Sequence, residues 1–316
     1  MAGVIEAREL VRDFGDVLAV GGIDLSVDEG EIFGFLGPNG AGKSTAVRIF
    51  TTLLKPTSGI AMVGGFDVVS ESKSVRQIIG VALQDAAIDP LMTGNELLNL
   101  QAALHGISRS KIKFRSDELL ERVGLSRAAN RRVSTYSGGM RRRLDLALSL
   151  VHEPRVLFLD EPTTGLDPTS RQALWEEVQH LNHDLGTTVF LTTQYLEEAD
   201  QLADRIAIID DGKIVREGSP TGLKATISAP TLRVDIEKKM IDVALSVLQD
   251  FGEERPSRAG RVAIGLEGGA TQLARVIRAL DSSGVVVEHI ELDAPSLDDV
   301  FAEATGRRLE GAGDSK

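Results

Sequence analysis

The chain has 316 residues, with 35 Lys or Arg against 47 Asp or Glu, a net charge of −12. About 150 residues per domain predicts two domains, and 42% hydrophobic with 26% charged residues is the balance of a globular chain. The acidity disfavours wrapping a nucleic-acid backbone, the lack of cysteine excludes disulfides, Cys-zinc sites and thiol catalysis, and without an apolar run of about 18 residues or a signal-peptide pattern the chain reads as soluble and cytoplasmic.

In chain order, Ile32–Leu36 is a short apolar run suited to a strand buried on both faces. A glycine-rich turn follows, and then Ala46, Ile49, Phe50, Leu53 and Leu54 recur at helical spacing up to the breaker Lys55-Pro56-Thr57-Ser58-Gly59. Residues from about 95 to 150 read as helical and rich in Leu, Glu and Arg, as an inserted lobe. Val156–Leu159 and Thr188–Leu191 are further buried strands. They bracket a helix with Leu174, Val178, Leu181 and Leu185 on one stripe and Gly186 as its cap. This order implies a parallel sheet with covered faces. Asp211-Gly212 reads as a hairpin turn. Composition shifts near Ser228-Ala229-Pro230. The remainder predicts strands over 231–237, 261–266 and 285–292, helices over 240–251 and 271–282, and a last short helix after Pro295-Ser296, in a small α+β domain with a polar, frayed tail.

Three motifs carry chemistry. Gly37-Pro38-Asn39-Gly40-Ala41-Gly42-Lys43-Ser44 fits G-x-x-x-x-G-K-[ST] between strand and helix. Its glycines let backbone N–H groups close on phosphate oxygens, Lys43 adds a point charge, and Ser44 is suited to Mg²⁺. Leu159-Asp160-Glu161-Pro162 ends a buried strand with two carboxylates, one suited to a metal and one to the attacking water. Alternation of side chains along the strand gives such neighbours different directions. Ser137-Gly138-Gly139 opens a helix and offers N–H groups and a hydroxyl to an anion. Alone, that segment is simply a capped helix.

Together these motifs resemble the ATP-binding subunit of an ABC transporter over about residues 4–225. Tyr136-Ser137-Gly138-Gly139-Met140 stands where the family's Leu-Ser-Gly-Gly-Gln signature is usual. The resemblance implies a P-loop NTPase of ABC type, an α/β fold with a mixed sheet core and an inserted helical subdomain at about 85–150. Residues 1–225 form that nucleotide-binding domain, 226–305 a small C-terminal α+β accessory domain, and 306–316 a flexible tail. The implied ATP contacts are Phe14 (stacking on adenine), Gly37, Pro38, Asn39, Gly40, Ala41, Gly42, Lys43, Ser44, Thr45, Gln84, Ser137, Gly138 and Gly139. Ser44, Gln84 and Asp160 are implied for Mg²⁺. Glu161 is the implied general base, with Lys43 and the switch residue Gln194 completing the catalytic set. Gln84, with Thr93 and Glu96 after it, matches the glutamine loop, and Gly165-Leu166-Asp167 the loop between two nucleotide sites.

Two positions depart from the family. Gln194 stands where His is usual and cannot relay a proton by titration. Met140 lacks the hydrogen bonds of the usual Gln. Thr192 to Asp200, Thr135 to Arg143 and Ala294 to Phe301 are similar to the corresponding segments of daunorubicin/doxorubicin-resistance ATPases. The implied function is ATP-driven export of drug-like molecules, or alternatively of a lipid, glycan or peptide. The implied assembly is a head-to-tail homodimer around ATP on a separate transmembrane permease, at the cytoplasmic face of the membrane and without nucleic acid. A soluble, non-transport ABC ATPase is the other reading, disfavoured by the single unit and the acidity. His180 and His183 lack a third ligand and read as a solvated helix face, Trp175 as packing, and Arg131, Arg132 and Arg141 to Arg143 as a mostly solvated basic cluster.

Overall fold

The computed structural model describes residues 3–84, 88–227, 229–257 and 260–308. The expected start of the helical lobe at 85, Ser228 at the composition shift and residues 309–316 of the expected tail lie outside them. The chain divides into two compact units, Met1–Ile214 and Val215–Lys316. That cut precedes the expected 225/226 boundary because the helix at Pro220–Ala225 packs on the last helix, Leu297–Thr305, within the second unit.

The first unit runs β1 (Ile5–Asp13), β2 (Leu18–Val27), β3 (Ile32–Leu36), α1 (Lys43–Phe50), β4 (Ser58–Val63), β5 (Phe66–Asp67), α2 (Ser72–Ile78), β6 (Ile79–Ala82), α3 (Gly94–Leu104) and α4 (Arg109–Arg122). It continues with α5 (Gly138–Ser149), β7 (Val156–Asp160), α6 (Pro168–His183), β8 (Thr188–Thr193), α7 (Leu196–Leu202), β9 (Arg205–Asp210) and β10 (Lys213–Gly218), inside which the cut falls. The larger sheet has the order β10-β9-β3-β8-β7-β6, and β3 pairs in parallel with both β8 and β9. This puts the carboxyl ends of β3, β7 and β8 side by side, where open α/β sheets bind ligands. A second, antiparallel sheet, β2-β1-β4-β5, was not anticipated from the sequence.

The central strands are continuous apolar runs because both faces are covered. On one face Phe33, Phe35, Phe50, Phe158 and Phe190 form an aromatic layer with ring centroids 5.5–6.2 Å apart. It joins α1 to β3, β7 and β8 directly beneath the glycine-rich turn. On the other, Leu157, Leu159, Val189 and Leu191 pack with Leu98 of α3, Leu119 and Leu120 of α4, Leu144 and Leu146 of α5, and Leu174 and Val178 of α6. The helical lobe thus shares one core with the sheet.

Helix α1 stops at Phe50, four residues short of the expected end. Thr52 takes a left-handed φ of 65°, and Leu53 and Leu54 both donate their N–H to Arg48 O, so Leu53 faces solvent. Leu185 is likewise exposed because α6 ends before it. Asp211 and Gly212, with φ of 45° and 75°, turn β9 into β10 in the positive-φ geometry that the right-handed strand twist favours.

The second unit runs α8 (Pro220–Ala225), β11 (Thr231–Ile236), α9 (Ile241–Leu248), β12 (Gly252–Arg255), β13 (Arg261–Leu266), α10 (Leu273–Ser282), β14 (Val287–Asp293) and α11 (Leu297–Thr305). Its antiparallel sheet has the order β12-β13-β11-β14. Leu232, Val234, Ile264 and Leu266 meet Ala244 and Leu248 of α9 and Val276 and Leu280 of α10. The edge strand β12 and the short helix α8 are elements that sequence patterning did not reveal. Among the described residues no helix is long and apolar enough to cross a membrane.

Candidate functional site

The glycine-rich turn between β3 and α1 is tied to the sheet at both ends: Gly37 N–H donates to Thr193 O at 3.1 Å, and Gly212 N–H to Ala41 O at 3.1 Å. Two of its glycines are dictated by close approach. A Cβ at Gly37 would lie 2.3 Å from Ile209 O, and one at Gly42, where φ is 104°, would lie 2.1 Å from Ala19 O. The first N–H groups of α1, on Lys43, Ser44 and Thr45, have no acceptor within their helix, so backbone donors and the positive end of the helix dipole face the same turn.

Lys43 folds back over this turn. Its Nζ donates to Gly37 O at 2.7 Å and Pro38 O at 2.9 Å, and lies 3.2 Å from Glu161 Oε1. These three partners account for the three donors of an ammonium group. Burial pushes the Lys43 pKa below the ordinary lysine range, while the charge and hydrogen bond of Glu161 and the charge of Asp160 oppose that shift.

At the end of β7, Asp160 Oδ1 accepts from Ser44 Oγ at 3.0 Å and from Thr192 Oγ1 at 2.6 Å. Ser44 and Asp160 therefore place a hydroxyl and a carboxylate on one point, a set of hard oxygen donors that fits Mg²⁺. Strand alternation is not what separates the two carboxylates. Glu161 lies beyond the strand, with φ of 47°, a left-handed conformation that costs about 1–2 kcal/mol in a residue with a Cβ. Its N–H donates to Thr192 O and Thr192 Oγ1, both at 3.1 Å, and Thr164 Oγ1 donates to its Oε2 at 3.4 Å. Thr192, which reaches from β8 to the Asp160 carboxylate and the Glu161 N–H, was missed in the sequence; its register opposite Asp160 in the parallel pair is a tertiary fact.

Arg142 was missed as well. It belongs to the cluster expected to be mostly solvated, yet its side chain is only 10% exposed. Its guanidinium donates to Pro162 O at 2.9 Å, Asp160 O at 2.9 Å, Leu83 O at 2.5 Å and Asp145 Oδ2 at 3.1 Å. Burial lowers its pKa against the charges of Asp145 and Asp160, and the same desolvation pushes Asp145 up to about 6. Arg143 is also inward-bonded, to Val123 O at 2.9 Å, whereas Arg141 is exposed. Trp175, expected as packing alone, also donates from Nε1 to the buried Glu198 Oε1 at 3.1 Å.

The other implied residues stand apart from this cluster. Gln84 is exposed just beyond β6, and among the described residues no hydrogen bond joins its side chain to Ser44 or Asp160. Gln194 is half-buried immediately after β8, one residue beyond the carbonyl that holds Gly37 N–H. Phe14 is 53% exposed in the β1–β2 turn, with the Arg12 guanidinium 4.3 Å from its ring centroid. Asn39 and Gly40 are exposed on the turn. Ser137 caps α5, its Oγ accepting from Met140 N–H at 3.2 Å. Ser137 and Gly138 are exposed, whereas Gly139 is buried against Ser170, whose Oγ would lie 2.6 Å from a Cβ. His180 pairs with Asp184.

The cluster joins the glycine-rich turn and the start of α1 to two carboxylates. Residues 20–164 match the ABC transporter family profile. The chain is 45% identical over 310 residues to a daunorubicin resistance ATP-binding protein of Streptomyces coeruleorubidus, covering 97% of this chain and 96% of that one. It is 33% identical over 311 residues to a linearmycin resistance ATP-binding protein of Bacillus subtilis, covering 97% and 99%. The dimeric post-hydrolysis structure of an ATP-binding cassette bound to ADP and Pi superposes with a TM-score of 0.63 at 27% identity, covering 68% of this chain and 98% of that one. With the two resistance proteins matched over 97% of its length, the chain belongs to the ABC transporter family, as one of its ATP-binding and ATP-hydrolysing subunits.

Proposed function

We propose that this chain energises efflux of drug-like molecules through a separate membrane permease, working as a head-to-tail homodimer at the cytoplasmic face of the membrane. The observation that carries the reading is the joining of Lys43 and Ser44 to Asp160 and Glu161 in one buried cluster. The N–H groups of Gly40 to Thr45 bind the phosphates, and Phe14 offers a π face to adenine. Ser44 and Asp160, with Gln84 from the β6 loop, hold Mg²⁺. Bound there, the metal supplies charge neutralisation to the phosphates.

A terminal phosphate competes with Glu161 for the Lys43 ammonium. Once Lys43 turns to phosphate, the Glu161 carboxylate is free to accept a proton from the attacking water. Gln194 donates its amide to the same phosphate without changing charge. Ser137, Gly138 and Gly139 are directed to the phosphate of a second copy, and the exposure of Ser137 and Gly138 on one chain suits the reading. The names of the similar proteins, resistance to daunorubicin and to linearmycin, favour a drug-like cargo.

The test is efflux from cells expressing the chain with its membrane partner. Wild type is expected to lower accumulation of an anthracycline and Lys43→Ala to abolish that effect. Equal accumulation with and without functional wild-type protein would contradict drug export.

A further inference from the structure

We propose that Arg142 is a positioning residue for hydrolysis, holding the main chain that carries Asp160 and Glu161 together with the main chain that leads into Gln84. The inference rests on the reading of Asp160 and Glu161 as metal and base residues and adds what keeps them in place. Its basis is geometric. Nε and Nη2 donate to Pro162 O and Asp160 O, the carbonyls that flank Glu161 on either side. Nη1 donates to Leu83 O, one residue before Gln84, and to Asp145 Oδ2 one turn further along the same helix.

Glu161 needs such a hold. Its left-handed conformation persists only where the surroundings over-determine it. Thr192 grips its N–H from β8, and Arg142 grips the carbonyls before and after it from α5. One planar fork thus fixes the ends of β6 and β7 relative to the helix that Ser137 caps. Only a guanidinium has the donors and the rigidity for this. A lysine at 142 would keep the charge beside Asp145 but satisfy the three carbonyls poorly, leaving buried acceptors unpaired. The arginine next in sequence serves as its control, because Arg143 donates to Val123 O, away from the carboxylates.

The experiment measures phosphate release by the full chain, with thermal melting of each variant. Arg142→Lys is expected to lower kcat about 10- to 100-fold, the scale of a misplaced reacting group. KM for ATP should stay within about threefold, because the phosphate cradle is untouched. Arg143→Lys should keep kcat within about threefold. Wild-type kcat in folded Arg142→Lys would overturn the proposal, as would parallel losses of kcat and KM in the two lysine variants. Should Arg142→Lys fail to fold, Asp145→Asn carries the test by loosening the guanidinium without removing it: kcat is expected to fall at unchanged KM, and wild-type kcat would overturn the proposal. Glu161→Gln is measured alongside. If it retains turnover, the reading of the carboxylates fails. If it loses turnover while Arg142→Lys does not, only the role of Arg142 fails.

Discussion

Lys43 Nζ and Glu161 Oε1 stand 3.2 Å apart, with both side chains no more than 5% exposed. A buried pair of this kind is sensitive to the loss of one partner alone, because the survivor is left charged in a low-dielectric site. The same contact joins the phosphate-binding loop to the carboxylate assigned as base, so stability and chemistry meet in it.

Lys43→Ala should therefore do two things. ATP binding should weaken by at least about tenfold through loss of a charge-assisted contact, and the fold should lose about 3–5 kcal/mol as Glu161 is left unpaired. The double variant Lys43→Ala/Glu161→Ala should recover part of that stability. Denaturant unfolding of the three proteins checks this, and additive losses would mean that the pair is not coupled.

Gln194→His should leave ATP hydrolysis within about threefold of wild type, since either side chain can donate to a phosphate. Phosphate release as a function of pH is the measurement. A new dependence near neutral pH in the His variant alone would show a titrating group at a position where wild type has none. Abolished activity would show that the amide has a role beyond phosphate contact.

The rings of His105 and His152 stack with centroids 3.9 Å apart and planes 7° from parallel, between the end of α3 and the segment after α5. Burial holds both pKa values below the ordinary 6.5, and His152 is lowered further by His105 and Arg115 while Ile79 O raises it. The folded chain therefore binds fewer protons than the unfolded one below that value. The contribution is fully present above about pH 6.5 and is lost as pH falls through the depressed folded values. Asp145 and Glu177, both pushed up to about 6 by burial, act in the opposite sense over part of this window, so the histidines are read by difference: from pH 7.5 to 5.5 the thermal midpoint of wild type should fall relative to that of the His105→Asn/His152→Asn variant. An unchanged slope would assign the acid loss to other groups.

What the sequence revealed follows from how local each signal is. A glycine turn between strand and helix and two carboxylates at a strand end are written in consecutive residues, and they bring Lys43, Ser44, Asp160 and Glu161 to one place. Arg142 was hidden because its acceptors come from β6 and β7, and carbonyl clusters leave no mark in sequence. A trace existed nonetheless. Arg142 lies three residues after the buried Gly139 and four before the buried Leu146, on the inward stripe of α5, where a solvated residue is out of place. Thr192 gave no such sign in a strand buried throughout. The antiparallel sheet escaped because β1 is irregular: its pairing with β2 shifts register after Ala7, and Glu9 takes φ of 45°, which breaks the alternation a strand would show.

The most direct measurement is turnover and mass of Glu161→Gln with Mg-ATP. The amide keeps the shape of the side chain and removes its ability to take a proton. ATP is expected still to bind, phosphate release to fall at least about 100-fold, and the chain to run at twice its monomer mass in ATP and at monomer mass without it. Hydrolysis by Glu161→Gln at the wild-type rate would contradict the assignment of Glu161 as the base.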